Sequence, residues 1–416
     1  MPTSISRQLA MSGVVSAAAF GQSPVAQSTI TKFGIEFCVV GSPGNRPPDE
    51  SEMTETPGNW RPGAVNYQYA IAKNELSSIQ YLEFVRAYAS FHPEIPGSVA
   101  LTGDYIVANP GASGRTFDLI VPAVANLPTN MSWRMAASYC NWLVNGKAMV
   151  ADSFEHGAYD TSTFNRDASG IYTDQLAHSP GAEFWIPNLD EYIKAANFDP
   201  DRYGNGEGGY WKYSGMSDVP LRFGAPQNGG QTNAGTFIPG VTVFPVYVGS
   251  YPLVRSPWGL LDTCGGISNW LEGTLYPDRP NTGVMDIGAR IGNLDEQVFE
   301  YDRLGMVFSS TAPNSGGPGG LRIAMRIRVD CIGDLNGDQV VDDTDFSIFA
   351  VAYNVLDCGD AAMAVGCPAD FNLDGVVDDA DFLVFAPAYD AAGGPTRRAT
   401  TLGSARVVRD REPDRR

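Results

Sequence analysis

Histidine is scarce in this chain. Only His92, His156 and His178 occur, and they are scattered. Three dispersed imidazoles argue against a multi-histidine metal centre or a mechanism built on several histidines. Positive charge is also in short supply, with 28 Lys and Arg against 47 Asp and Glu, a formal net charge of −19. Such a balance argues against nucleic-acid binding, because phosphate backbones attract basic surfaces. Long apolar runs are missing too. The longest, around Leu9 to Gly21, is too short to span a bilayer, so no membrane span is expected. What is present is globular, with 43% hydrophobic and 18% charged residues. The 46 glycines and 29 prolines predict many turns and modest regular structure. A length of 416 residues leaves room for two or three domains.

The acid is unevenly placed. Residues 331–395 hold 13 Asp and no Glu, Lys or Arg. Residues 396–416 hold seven Arg against Asp410, Glu412 and Asp414, a local charge of +4. That leaves −10 for the first 330 residues. A break of this kind marks a domain boundary. The chain divides accordingly into a leader (1–21), a main domain (33–330), an acidic domain (331–395) and a basic tail (396–416) expected to be disordered.

Met1 to Gly21 reads as a secretory signal. Arg7 supplies the charge, Leu9 to Phe20 the short apolar core, and Ala19-Phe20-Gly21 a small-residue cleavage pattern. Secretion or display at the cell surface follows, with a mature chain beginning near Gln22. Three of the six cysteines, Cys331, Cys358 and Cys367, crowd into the acidic stretch, which suits an oxidising compartment. Cys358 and Cys367 can bridge locally, but spacing alone does not fix connectivity. Cys140 sits in a helical apolar pattern and reads as a buried small hydrophobe.

The acidic stretch repeats itself after 36 residues. Asp334, Asn336, Asp338, Asp342 and Asp345 align with Asp370, Asn372, Asp374, Asp378 and Asp381. These are positions 1, 3, 5, 9 and 12 of an EF-hand-type loop, with Val340 and Val376 at position 7, where a backbone carbonyl serves. A hard cation wants six to eight oxygens, and a tight loop aims alternate side chains inward. Gly375 at position 6 permits the sharp turn; Gln339 replaces it in the first loop. Each loop leads into an amphipathic pattern, Phe346, Phe349, Ala350 and Tyr353 in one, Phe382, Phe385, Ala386 and Tyr389 in the other. Pro387 predicts a short or kinked second helix.

This stretch resembles a type I dockerin, a small all-α module of paired calcium loops that uses Asp at position 12. The resemblance implies two bound calcium ions and a cohesin-like or other extracellular docking protein as partner. Dockerin loop positions 10 and 11 often carry partner choice. Here they are Asp343-Thr344 and Asp379-Ala380, unlike the small hydroxyl pairs of many cellulosomal dockerins.

The main domain carries four local patterns. Glu75-Leu76-Ser77-Ser78 precedes a helical run with Ile79, Leu82 and Phe84-Val85, for which Ser78 is the expected cap. Ser132 caps a second run through Trp133, Ala136, Tyr139, Cys140, Trp142 and Leu143. Trp185-Ile186-Pro187 leads to Asn188 and Glu191, a capping-box start. An extended segment from Pro245 leads to Trp258-Gly259-Leu260-Leu261-Asp262 and Gly265-Gly266-Ile267-Ser268-Asn269-Trp270. Gly320-Leu321-Arg322-Ile323-Ala324 closes the domain as an expected strand. From the residues alone this is an aromatic-rich α+β domain with long loops, without a hydrolase triad or a phosphate-binding glycine loop.

The order of these motifs resembles the sulfatase-modifying-factor family, the formylglycine-generating enzymes. The resemblance implies a C-type-lectin-like α+β fold with little regular secondary structure. The departures bear on activity. Active members place two copper-binding cysteines shortly before their terminal Gly-Phe-Arg, and this chain has no cysteine between Tyr301 and Ile323. The family's Arg-Gly-Gly-Ser-Trp reads Arg303-Leu304-Gly305-Met306 here, Gly266 replaces a calcium-binding Asn, and Asn269 replaces a Glu. Copper is therefore not expected, and no catalytic residue is assigned.

The reading that follows is a secreted, non-catalytic protein with a calcium-dependent docking module, an accessory to polysaccharide breakdown. Glycan or protein binding by the lectin-like frame is an analogy of fold only. The alternative is an oxidoreductase that converts a sulfatase cysteine to formylglycine.

Overall fold

The computed structural model describes residues 28–53, 61–92, 99–109, 116–233, 245–273, 284–286, 304, 307–309, 319–327, 333–336, 341–364, 366–372 and 374–392. The expected leader and the basic tail lie outside them.

The described chain opens on a hairpin, β1 (Thr29–Lys32) and β2 (Ile35–Val40), then reaches β3 (Tyr69–Ala72) and helix α1 (Ser78–Ala89). One-turn α2 (Val99–Thr102) leads to a hairpin of β4 (Ile106–Asn109) and β5 (Thr116–Leu119). Helix α3 (Trp133–Val144) and one-turn α4 (Asp152–Glu155) precede β6 (Phe184–Trp185) and α5 (Leu189–Asn197). The hairpin β7 (Phe198–Gly204) and β8 (Glu207–Tyr210) follows. Five short strands come next: β9 (Ser268–Leu271), β10 (Val284–Asp286), β11 (Val307–Ser309), β12 (Gly319–Gly320) and β13 (Ala324–Arg326). Helices α6 (Asp343–Val355) and α7 (Asp379–Ala392) occupy the acidic stretch. The protein is thus α+β, as the motifs imply.

Two sheets organise residues 29–326. The larger has the order β1-β2-β3-β13-β6, so a strand from the end of the segment is inserted beside one from its beginning. All its neighbours pair antiparallel. The other has the order β11-β10-β9-β12, with β12 parallel to β9. Trp133 and Trp270 bind α3 to this second sheet. Trp133 Nε1 donates to the Leu271 carbonyl at 3.2 Å, and Trp270 Nε1 donates to the Met131 carbonyl at 2.8 Å. A Cβ on Gly319 would fall 2.4 Å from Trp270 Nε1, so only glycine lets β12 approach.

The helices follow their caps. Ser132 Oγ accepts from the Met135 N–H at 3.3 Å and starts α3. Trp133, Ala136, Tyr139, Cys140, Trp142 and Leu143 are all buried on it. The Asn188 side chain accepts from the Glu191 N–H at 2.9 Å, and Glu191 accepts from the Asn188 N–H at 2.7 Å. That is the capping box the sequence predicts. Phe84 of α1 packs edge-on against Tyr139 and Trp142 of α3, with ring centroids 5.2 and 5.8 Å away.

Several expectations shift. Ser77, not Ser78, caps α1. Its N–H donates to the Gln80 side chain at 3.0 Å, while Ser78 turns inward and its hydroxyl donates to the Leu127 carbonyl. Ile79 is 44% exposed, because the first turn of α1 presents that face to solvent. Pro387 does not shorten α7, which runs through it. Pro387 is exposed, so the carbonyl its ring leaves without a partner can be solvated. Residues 245–257 contain no strand; they form turns. Gly320 to Ala324 is not one strand but the junction between β12 and β13. Arg322 bends that junction inward to reach four carbonyls: Ala72, Lys73, Leu261 and Asp262, at 2.8 to 3.1 Å.

Lys194 of α5 gives the fold a pH signature. It is fully buried, and its ammonium donates to the Ser42 and Val65 carbonyls at 2.9 and 3.2 Å. Burial lowers its pKa to about 7. Between that value and the usual lysine range the unfolded chain carries a proton that the folded chain lacks. Stability contributed by this group therefore rises with pH across that window, by at most about 5 kcal/mol. Urea denaturation from pH 7 to 9.5 should show a smaller rise for Lys194→Met than for wild type. Equal slopes would exclude Lys194 as the titrating group.

Candidate metal centre

The two acidic loops are built alike around position 12. Asp345 Oδ1 accepts from the Leu335 and Asn336 N–H groups at 2.6 and 2.9 Å, and Oδ2 from the Asp342 N–H at 2.9 Å. Asp381 Oδ1 accepts from Phe371 and Asn372 at 2.6 and 3.1 Å, and Oδ2 from Asp378 at 3.0 Å. Both carboxylates are fully buried. The position-9 residues start the helices, Asp342 accepting from the Thr344 N–H and Asp378 from the Ala380 N–H, each at 2.8 Å. One short sequence pattern thus closes each loop and caps its helix.

Position 1 is also buried, Asp334 at 5% exposure and Asp370 at 1%. Asp370 accepts from the Asp374 N–H at 3.2 Å and the Gly375 N–H at 3.0 Å. Gly375 has φ +89°, the left-handed turn for which position 6 needs glycine. Asn372 and Asp374 are exposed and bonded to each other, Asn372 Nδ2 donating to Asp374 Oδ2 at 2.9 Å. Val376 is exposed and donates its N–H to Asp374 Oδ1 at 3.0 Å. Asp338 and Val340 lie outside the described residues.

The donor set is that of a hard cation: carboxylate and amide oxygens at alternate loop positions. Asp345 and Asp381 each keep unused lone-pair capacity on Oδ2. Calcium would be held by Asp334, Asn336, Asp342 and Asp345 in the first loop. In the second it would be held by Asp370, Asn372, Asp374, Asp378, Asp381 and the Val376 carbonyl. Bound there, it would neutralise carboxylates that otherwise repel one another. Among the described residues these carboxylates do not yet crowd together. Cys358, Cys367 and Asp370 do, with donor atoms within 4.8 Å of one another. The two sulfurs are joined as a disulfide and offer no thiolate.

The helices behind the loops pack through Phe349 and Phe385, whose rings stack 4.9 Å apart. Their ends cross-bond. The Tyr353 hydroxyl donates to Asp379, and the Tyr389 hydroxyl donates to Asp343. The hydrogen bond to Asp343 pushes the Tyr389 pKa up to about 12. Both position-10 aspartates are therefore engaged by tyrosines of the opposite repeat.

Two polar clusters in residues 33–330 were not visible in the motifs. In one, Glu75 Oε1 accepts from the Ile267 N–H at 3.0 Å and from Asn269 Nδ2 at 3.2 Å. A Cβ on Gly266 would fall 2.1 Å from Glu75 Oε2. Gly266 and Asn269, two of the positions that depart from the resembled family, thus lie against Glu75. Burial, and then Asp262, hold the Glu75 pKa well above the carboxylate range. In the other cluster, His178 stacks on Trp185 with centroids 4.6 Å apart, and its Nδ1 lies 3.0 Å from both Glu272 oxygens. The Tyr159 hydroxyl also donates to Glu272. Burial disfavours the charged ring, and Glu272 outweighs burial, so the His178 pKa is raised. Partner separations of 94 residues or more hide both clusters from local pattern.

No family model matches the chain, and no curated protein matches it. Among solved structures it is similar to the crystal structure of CarF, at 18% identity and a TM-score of 0.41, over 70% of this chain and 98% of that one. It is also similar to Treponema denticola variable protein 1, at 13% identity and a TM-score of 0.40, over 73% and 100% of the two chains. Likenesses of this size carry no inference about activity.

Calcium should stabilise residues 333–392 in the full chain. At 100 times its dissociation constant a bound ion adds about 2.7 kcal/mol. Heat denaturation in calcium and in chelator should give a transition that moves upward with the metal. The shift should vanish in an Asp334→Ala/Asp370→Ala variant. Superimposable curves in calcium and chelator would remove the metal from the account.

Proposed function

We propose that this chain is a secreted docking protein: a non-catalytic domain of formylglycine-generating-enzyme type followed by a calcium-dependent, dockerin-like module. The observation that carries the reading is the duplicated loop. The same carboxylate position accepts the same three backbone N–H groups in both repeats. The partner is a cohesin-like or other extracellular protein, and the setting is polysaccharide breakdown. Because Asp343 and Asp379 are tied to Tyr389 and Tyr353, the partner is one that reads this arrangement rather than exposed hydroxyls.

The thiols of the larger segment support a non-catalytic reading. A copper(I) oxidase needs soft thiolate ligands. Cys38 and Cys140 are buried, and burial lifts Cys38 to about 11 and Cys140 well above its usual range. Cys264 is buried beside the Thr232 hydroxyl, at 3.6 Å. Incubation with a sulfatase-motif peptide, copper and oxygen should leave the peptide cysteine unchanged by mass spectrometry. Turnover that disappears in Cys264→Ala would replace this reading with the oxidase. Capture from the native secretome on immobilised full-length protein should enrich a partner in calcium and release it in chelator. Capture indifferent to calcium would refute the docking role.

A further inference from the structure

The second loop is fastened at both its start and its middle. Just after α6, the chain from Leu356 to Cys358 runs antiparallel to Gly375–Val377, positions 6 to 8 of the second loop. The Cys358 N–H donates to the Gly375 carbonyl at 3.0 Å, and the Val377 N–H donates to the Leu356 carbonyl at 2.7 Å. Cys358 is also disulfide-bonded to Cys367, three residues before Asp370. The Asp370 N–H donates to the Cys367 carbonyl at 3.1 Å. The Cys358 sulfur lies 3.6 Å from Asp370 Oδ2, the oxygen that also accepts from Gly375. One residue therefore fixes the start of the loop through sulfur and its middle through the backbone.

The first repeat has only one of the two cysteines of this fastening. Cys331 aligns with Cys367, but the residue 36 positions before Cys358 is Arg322, not cysteine. Arg322 is committed to four carbonyls elsewhere.

We infer that Cys358 is the positioning residue of the second calcium loop, and that its disulfide makes this loop the tighter, redox-responsive site of the two. The inference rests on the calcium reading above. A loop already ordered loses less conformational freedom when it closes on an ion. A dithiol reductant supplies two electrons and two protons. The S–S bond breaks, Cys358 and Cys367 become thiols, and the reductant closes to its own disulfide. The backbone pairing at Gly375–Val377 can persist, but Asp370 loses its covalent anchor.

Calorimetric titration of the full chain with calcium alone tests this, in oxidised, reduced and reoxidised protein. Alkylation and mass spectrometry follow the thiols. Oxidised protein should show two unequal sites, the tighter one missing in Asp370→Ala and the weaker one missing in Asp334→Ala. Reduction should weaken the tighter site by about ten-fold or more, the order expected when a small-loop disulfide is opened. The other site should move less than about two-fold, a change of a few tenths of a kcal/mol. Reoxidation should restore the tighter site, and Cys358→Ser/Cys367→Ser should reproduce the reduced protein. Affinities indifferent to reduction would overturn the inference while leaving calcium binding intact. Simultaneous loss of both sites would overturn it as well, since the disulfide would then hold the whole module rather than one loop. No calcium heat in any state would remove the calcium reading and this inference together.

Discussion

The Arg322 guanidinium sits wholly inside the protein and gives its terminal N–H groups to four backbone carbonyls. Two belong to the end of β3 and its exit, two to the turn before β9. The flanking residues repeat the link, the Ala72 N–H donating to the Ile323 carbonyl and the Leu76 N–H to the Leu321 carbonyl. The late strand β13 is thereby held against the early strand β3, and the larger sheet closes. A buried cation also needs charge compensation, since desolvating a charge is costly unless it is paired. Glu75 and Asp262 provide it and overshoot, two acids for one guanidinium. Burial raises the pKa of both acids. For Glu75 the shift is large, so the cluster reaches neutrality when Glu75 keeps its proton. Gly266 fits this arrangement, because any side chain there would collide with the Glu75 carboxyl.

Residues 333–392 meet a different difficulty. Among the described residues their cluster has nine buried apolar side chains, Phe349 and Phe385 included. A core that small supplies little stability and calls for staples. Three kinds are built in: the Cys358–Cys367 disulfide, the cross-repeat Tyr–Asp bonds, and the buried aspartates that gather backbone N–H groups. None is a large apolar surface. No cationic side chain stands anywhere in residues 331–395 to pair with the 13 aspartates.

The sequence is legible where the physics is local. Ser132 and Asn188 cap their helices as their types predict, and the apolar spacing after Ser132 buries every residue it marks. The two acidic loops are built alike for the same reason, since Asp345 and Asp381 each gather backbone N–H groups no more than ten residues away. The Cys358–Cys367 bridge was open from spacing and is formed. What escapes is whatever depends on a distant partner. Two- to four-residue strands such as β6, β12 and β13 have no period to read, and their register is set by neighbours far away in sequence. Glu75 meets Asn269 across 194 residues and Arg322 meets Ala72 across 250. Ser78 shows the finer limit: two adjacent serines are equivalent caps in sequence, and packing against Leu127 decides between them.

The chain thus contains two answers to the same electrostatic problem. Crowded carboxylates are stable only if something removes their mutual repulsion: a proton, a cationic side chain or a metal. In the larger segment the answer is internal. Glu75, Asp262 and Arg322 are buried together, and Glu272 faces His178, so a proton or a cationic side chain lies within reach of each acid. In the acidic stretch no cationic side chain is available. Lys and Arg are absent from residues 331–395, and Asn372 and Asp374 face solvent. A mobile cation is the other kind of neutraliser, and the calcium proposed for these loops is of that kind, since oxygen donors at alternate positions suit a hard ion. The same element, acid without base, underlies both the expectation of no nucleic-acid binding and the calcium proposal for residues 331–395.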